Sequence, residues 1–255
     1  MRAYHNTAVS LLQTAGKTIT QNMDRTDRIH INKNRSSSFE TSIAVDIEGV
    51  MTERLQELYP THHVLSRYGG LVKREIENNS NEKSLTWVID GLDGAENFIA
   101  GVPIYAHSIA LFEEKNCIMG LTYQPITDEM FSAINEHGAF YNNKKIRAQR
   151  KHPEQPARLA LQTDHFFETV IHTINKKFKH PLKVSQVQSF GSVSLGLAYH
   201  ALGAYDVFFA QDIHICSAAA GLLIATQAGA IVKQDLQNER ILSQILSVHN
   251  GVKKS

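Results

Sequence analysis

Between Ser84 and Ile146 the chain passes through five short stretches, LTWVID, YAHSIALFE, CIMGLTYQP, EMFSAIN and AFYNNKKI. Each is rich in β-branched or aromatic residues and is bounded by Gly, Asn, Pro or charge. Runs of this kind predict an antiparallel sheet laid down strand by strand. Gly138 and the Asn142-Asn143 pair mark a hairpin within EHGAFYNNKKI.

Different patterns flank this block. Ala8, Leu11, Leu12, Ala15 and Ile19 recur at helical spacing near the N-terminus, and a second helix is expected from about Ile43 to Leu58. The polar segment QRKHPEQP, 149–156, is the candidate boundary between an N-terminal half, 1–150, and a C-terminal half, 151–255. Beyond it, strands and helices alternate. RLALQT, KVSQVQ, YDVFFA, AIVK and ILSVH read as strands; 167–178, 192–201 and an Ala-rich segment from Ser217 read as helices.

The 255 residues, 42% apolar and 20% charged, suffice for a sizeable folded core. A net charge of +1 gives no general attraction to nucleic acid, and the basic run Lys144, Lys145, Arg147, Arg150 and Lys151 reads as a solvated face. Cys117 and Cys216 make neither a disulfide framework nor a thiolate zinc site, which points to a reducing cytoplasm. The longest uncharged run, ICSAAAGLLIATQAGAIV, is dominated by small residues and reads as a buried helix turning at Gly229 into a strand, with no membrane span.

The chemistry concentrates in WVIDGLDGAENF, residues 87–98. Two carboxylates from one tight turn, Asp90 and Asp93, can share a hard divalent ion such as Mg²⁺. A helix starting after Gly94 would favour an anion beside it. Aspartates before glycine are also common turn and cap residues, so DxxDG alone does not decide between the two roles.

This segment resembles the first signature of the inositol monophosphatase family, approximately WVIDPLDGTTNF. The resemblance continues through FIAGVPIYAHSIAL, GLTYQPITDEMFSA and EHGAFYNNKKIR, and returns at SFGSVSLGLAYHALGAYDVFF. SAAAGLLIATQAGA is similar to the second signature, approximately WDIAAGALLVREAGG. It implies an α+β fold, an αβαβα layered sandwich with mixed and antiparallel sheets, assembled as a homodimer and hydrolysing a phosphate-containing small molecule with Mg²⁺. It also allows a protein partner, since some bacterial relatives act with the transcription machinery. The chain stops at Ser255, shortly after ILSVHNG, where relatives continue into another helix.

Carried over by position, Asp90, Asp93 and the Leu92 carbonyl match metal ligands, the Gly94 and Ala95 amides match the phosphate cradle, and Asp46 matches an Asp supporting the metal site. Other positions depart from the pattern. A family Glu-Glu pair is replaced by Arg67 and Tyr68, and a phenol keeps its proton until about pH 10. The water-activating threonine is Ala95, a metal-binding Asp is Ser217, a substrate-contacting Glu is Ala210, and a Pro is Gly91. Glu75, Glu77, Glu96 and Asp212 are the carboxylates that could replace lost ligands, with solvated surface charge as their plainer reading.

Two expectations follow: a weakly active or inactive protein with a binding or regulatory role and at most one weak Mg²⁺ site, or an active Mg²⁺-dependent inositol or sugar phosphate monoesterase with a rearranged metal site.

Overall fold

The computed structural model describes residues 1–22, 31–33, 39–74, 85–148, 155–162, 171–172, 183–211, 213–235 and 245–249. The chain opens with α1 (Arg2–Gln21), a short pair β1 (Ile31–Lys33) and β2 (Phe39–Thr41), and α2 (Ser42–Leu58). Then come β3 (His63–Ser66), β4 (Gly70–Val72), β5 (Leu85–Asp93), α3 (Ala95–Ile99), β6 (Ala106–Glu113), β7 (Asn116–Gln124), β8 (Glu129–Ile134), β9 (Gly138–Tyr141) and β10 (Lys144–Ile146). The remainder is β11 (Ala157–Gln162), β12 (Val184–Ser189), α4 (Val193–Ala201), β13 (Val207–Ala210), α5 (Ile215–Gln227), β14 (Ile231–Asp235) and β15 (Ile245–His249).

The helices form where their ends are satisfied and one face is apolar. Thr41 caps α2 by accepting the Ala44 amide at 3.2 Å, and the helix stops at Leu58 because the residue preceding Pro60 is driven out of the helical region. Ala8, Leu11, Leu12, Ala15 and Ile19 of α1 join Ile43, Ala44, Ile47, Met51 and Leu55 of α2 in one buried cluster. α5 begins at Ile215, two residues ahead of the expected Ser217, because the His214 side chain accepts the Cys216 amide.

Eight strands form the larger sheet in the order β10-β9-β8-β7-β6-β5-β3-β4. Its stretch from β5 to β10 is antiparallel throughout, as the five apolar runs predict, whereas β3 joins parallel to β5. The β9–β10 hairpin closes through Asn142 and Asn143, both with positive φ, 45° and 64°, which suits a two-residue turn. The smaller sheet, β12-β11-β13-β15-β14, is mixed, parallel around β11 and antiparallel around β15.

Side chains alternate across the larger sheet, so its two faces meet different partners. Gly16 of α1 packs on Tyr123, and on the opposite face a Cβ at Gly120 would stand 2.8 Å from the Ala220 backbone of α5. α4 and α5 therefore form a layer between the two sheets, burying Phe131, Ala133 and Ala139 of one with Ala160, Phe208 and Ala210 of the other. Leu159, Val207 and Phe209 on the far face of the smaller sheet pack against Ile171. The helix expected over 167–178 lies largely outside the described residues. Among those residues no helix is long and apolar enough to cross a membrane.

Candidate active site

The two aspartates share a side of the sheet through an irregularity in β5. Asp90 pairs with Ser108 of β6 and Asp93 pairs with Ala106, so three steps on one strand match two on the other. In a regular strand residues three apart point to opposite faces; the extra residue of this bulge cancels that reversal. Gly91, inside the bulge, lies against α2: a Cβ there would come within 2.7 Å of Glu48 Cγ and 2.9 Å of the Ala44 carbonyl. Gly94 has φ +93° and begins α3, where Ala95 is buried and Glu96 exposed.

Asp90 is completely buried. Its Oδ1 accepts the Leu92 amide at 3.1 Å. Its Oδ2 accepts a short hydrogen bond from Ser217 Oγ in the first turn of α5. Arg67 Nη1 in turn donates to Ser217 Oγ at 2.6 Å and stands 3.4 Å from Asp90 Oδ2. The guanidinium, held largely out of water, keeps its proton even more firmly than usual: the charges of Asp90, Tyr68 and Asp93 outweigh the opposing cost of burial.

Asp93 has a different set of partners. Its Oδ2 accepts from Ser192 Oγ at 2.6 Å, Ser194 N at 2.7 Å and Ser194 Oγ at 2.6 Å, at the start of α4. Burial and then the nearby Asp90 charge raise its pKa, against these hydrogen bonds. Ser192 also accepts the Leu195 amide, so α4 is tied to β5 by its own cap.

The sequence pattern places Asp46 at the site, but the structure turns it outward. It is exposed and borders a surface hollow with Leu11, Ala15, Val50 and Met51. The carboxylate that α2 contributes is Glu48, one turn beyond Ala44 on the buried stripe. Glu48 Oε2 accepts the Tyr68 amide at 2.8 Å and Oε1 the Gly91 amide at 3.2 Å. Burial, followed by the charge of Asp90, pushes its pKa up to about 7. The helical spacing Ala44, Glu48, Met51, Leu55 is the signal that could have found it.

Sequence reasoning also passed over His107, which donates from Nδ1 to the Gly91 carbonyl at 2.6 Å and is pushed down to about 4 by burial. Asn97 was likewise missed; it donates to the carbonyls of Ile104 at 2.7 Å and Phe190 at 2.6 Å, anchoring α3 to the second half. Tyr68 takes part through its amide and its ring, over which Arg67 Cζ lies 5.7 Å from the centroid. Leu92 is buried and its amide serves Asp90. Ala210 is enclosed in the core between sheet and helices. Glu75, Glu77 and Asp212 fall outside the described residues, and His62 is an acceptor for Trp87 Nε1 at 3.1 Å.

The fold is of the α+β, layered class, and residues 1–252 match the inositol monophosphatase family: the chain belongs to it. It is 31% identical over 232 residues to the Nus factor SuhB of Vibrio cholerae, covering 89% of this chain and 83% of that one. It is 27% identical over 225 residues to the inositol-1-monophosphatase of Rhizobium meliloti, covering 88% and 82%. Its fold superposes on the extragenic suppressor protein suhB of Bartonella henselae with a TM-score of 0.82 at 25% identity, covering 96% and 93% of the two chains. The Thermotoga maritima IMPase gives 0.81 at 22%, which speaks for the fold alone.

The family generally depends on Mg²⁺. The donor set here does not fit that ion. Both oxygens of Asp90 and both of Glu48 accept hydrogen bonds from the chain itself, Asp93 Oδ2 accepts three, and a guanidinium stands against Asp90. Among the described residues no group of three or more His, Cys, Asp or Glu side chains is arranged to hold a metal ion.

Proposed function

We propose that this chain is a member of the inositol monophosphatase family that has given up hydrolysis, or nearly so, and serves as a binding or regulatory protein. The observation that carries this reading is the engagement of Asp90 by Ser217, Arg67 and the Leu92 amide. A guanidinium already paired with Asp90 competes with a hard cation for that carboxylate and repels it. Ala95, with no hydroxyl, offers no replacement for water activation. Regulatory use is supported by the similarity to proteins named Nus factor SuhB, which makes a protein partner in transcription the first to try. A cytoplasmic location and a homodimer go with this reading.

The experiment is phosphate release from inositol 1-phosphate in millimolar Mg²⁺, with Asp90→Asn as the blank. The two proteins should be indistinguishable. Mg²⁺-dependent release by the unaltered chain that disappears in Asp90→Asn would instead establish the second reading, an active inositol or sugar phosphate monoesterase with a rearranged site. One observation favours that alternative: Glu48, held near neutral pKa beside Asp90, is suited to accepting a proton from water.

A further inference from the structure

We propose that Arg67 is a tethered counter-cation, supplying from within the chain the positive charge that Asp90 requires and closing the site to divalent ions. The inference deepens the non-hydrolytic reading and rests on it.

An ionised carboxylate with no exposure to water needs a compensating charge or dense hydrogen bonding. Asp90 has no exposed surface, and among the described residues Arg67 is the cation that reaches it, directly at 3.4 Å and through Ser217. The relay is directional: the guanidinium donates to the hydroxyl, and the hydroxyl donates to the carboxylate. A serine at 217 is what makes the relay work. It accepts from Arg67 while donating to Asp90, which a second carboxylate could not do.

The arginine is also held in position. Its loop is pinned on one side by the Tyr68 amide on Glu48 and on the other by the Gly69 amide on Ser66 Oγ at 3.0 Å. A Cβ at Gly69 would stand 2.6 Å from that hydroxyl, and Gly70 turns the chain with φ +70°. The Tyr68 ring lies under the guanidinium. Only a quarter of the Arg67 side chain is exposed, so it is not a surface arginine folded over by chance. A divalent ion approaching Asp90 would have to displace a guanidinium that already neutralises it, and would meet like charge in doing so.

The test uses the full-length chain freed of metal by a chelator and follows its melting temperature and isothermal titration heats with Mg²⁺ and Mn²⁺. The unaltered chain should show neither a shift nor saturable heat at millimolar ion. Arg67→Ala should melt lower without metal and recover by roughly 3 °C or more when either ion is added. That recovery should vanish in the Arg67→Ala, Asp90→Asn double variant. Arg67→Lys, which keeps a cation, should stay blind to metal. If Arg67→Ala does not fold, Arg67→Met keeps the bulk of the stem without the charge and takes its place in the comparison.

Asp90-dependent binding of Mg²⁺ or Mn²⁺ by the unaltered chain overturns the inference, and so does an Arg67→Ala or Arg67→Met protein that stays blind. The two readings fail separately. Phosphate release by the unaltered chain defeats the non-hydrolytic reading, whereas these measurements register binding whether or not any substrate turns over.

Discussion

At residue scale the site is governed by how few water molecules reach three carboxylates. Glu48 is 2% exposed, and its raised pKa, about 7 against an ordinary 4.5, has a measurable consequence. Between those two values the folded chain holds a proton that the unfolded chain has lost. The contribution of Glu48 to stability therefore falls as pH rises from 4.5 to 7 and is level above. His107 acts in the opposite sense, its folded value lying near 4 below an ordinary 6.5, so its contribution rises with pH over that range. The clean measurement is the difference between the unaltered chain and Glu48→Gln in urea unfolding at several pH values. The advantage of Glu48 over a glutamine should shrink by about 3 kcal/mol between pH 4.5 and 7; a constant difference would mean that Glu48 titrates normally. At the acid end of that range the Glu48→Gln chain should be the less stable, since its amide nitrogen takes the place of one of the two oxygens that accept the Tyr68 and Gly91 amides. Arg67→Ala should lose about 3 kcal/mol in metal-free urea unfolding, because it leaves the Asp90 carboxylate buried with hydrogen bonds from Ser217 and the Leu92 amide but without its counter-charge. A loss under about 1 kcal/mol would place Arg67 among ordinary surface charges.

At the scale of elements, the two aspartates of β5 each address the start of a helix. Asp90 faces the first turn of α5 through Ser217, and Asp93 receives the Ser194 amide and two hydroxyls at the start of α4. The positive end of a helix dipole favours a carboxylate in both places. Asp93→Ala should therefore cost about 3 kcal/mol and show faster amide exchange in the first turn of α4, with the rest of the helix less affected. Unchanged exchange at Ser194 and Leu195 would remove this capping role. The DxxDG reading that left metal and cap roles side by side thus meets a fold in which the cap role is visible. The element pattern itself was legible: both N-terminal helices, the antiparallel run and the hairpin at Asn142-Asn143 follow from periodicity and turn chemistry. The bulge between Asp90 and Asp93 was not, because a one-residue excess shows only against the partner strand.

At the scale of the molecule, α4 and α5 bind the halves on either side of residue 150 into shared apolar contacts. Trp87, the single tryptophan, is buried in the larger sheet beside Tyr4, Tyr59 and His62, so its emission reports on the N-terminal half alone. Urea unfolding followed by Trp87 emission and by far-ultraviolet circular dichroism should give coincident transitions. Separated midpoints would mean that 1–150 and 151–255 unfold as independent units. The sequence by itself determined the class of fold, since strand and helix periods are local, and it marked position 90 as retained and 217 as altered, since residue types can be read one at a time. Only the tertiary structure decided what those residues do. Arg67, Asp90 and Ser217 lie 23 and 127 positions apart in consecutive pairs and meet through long-range packing of a loop, a strand and a helix start. Choosing Glu48 over Asp46 likewise depended on which face of α2 the sheet covers, because burial and charge neutralisation belong to the assembled environment.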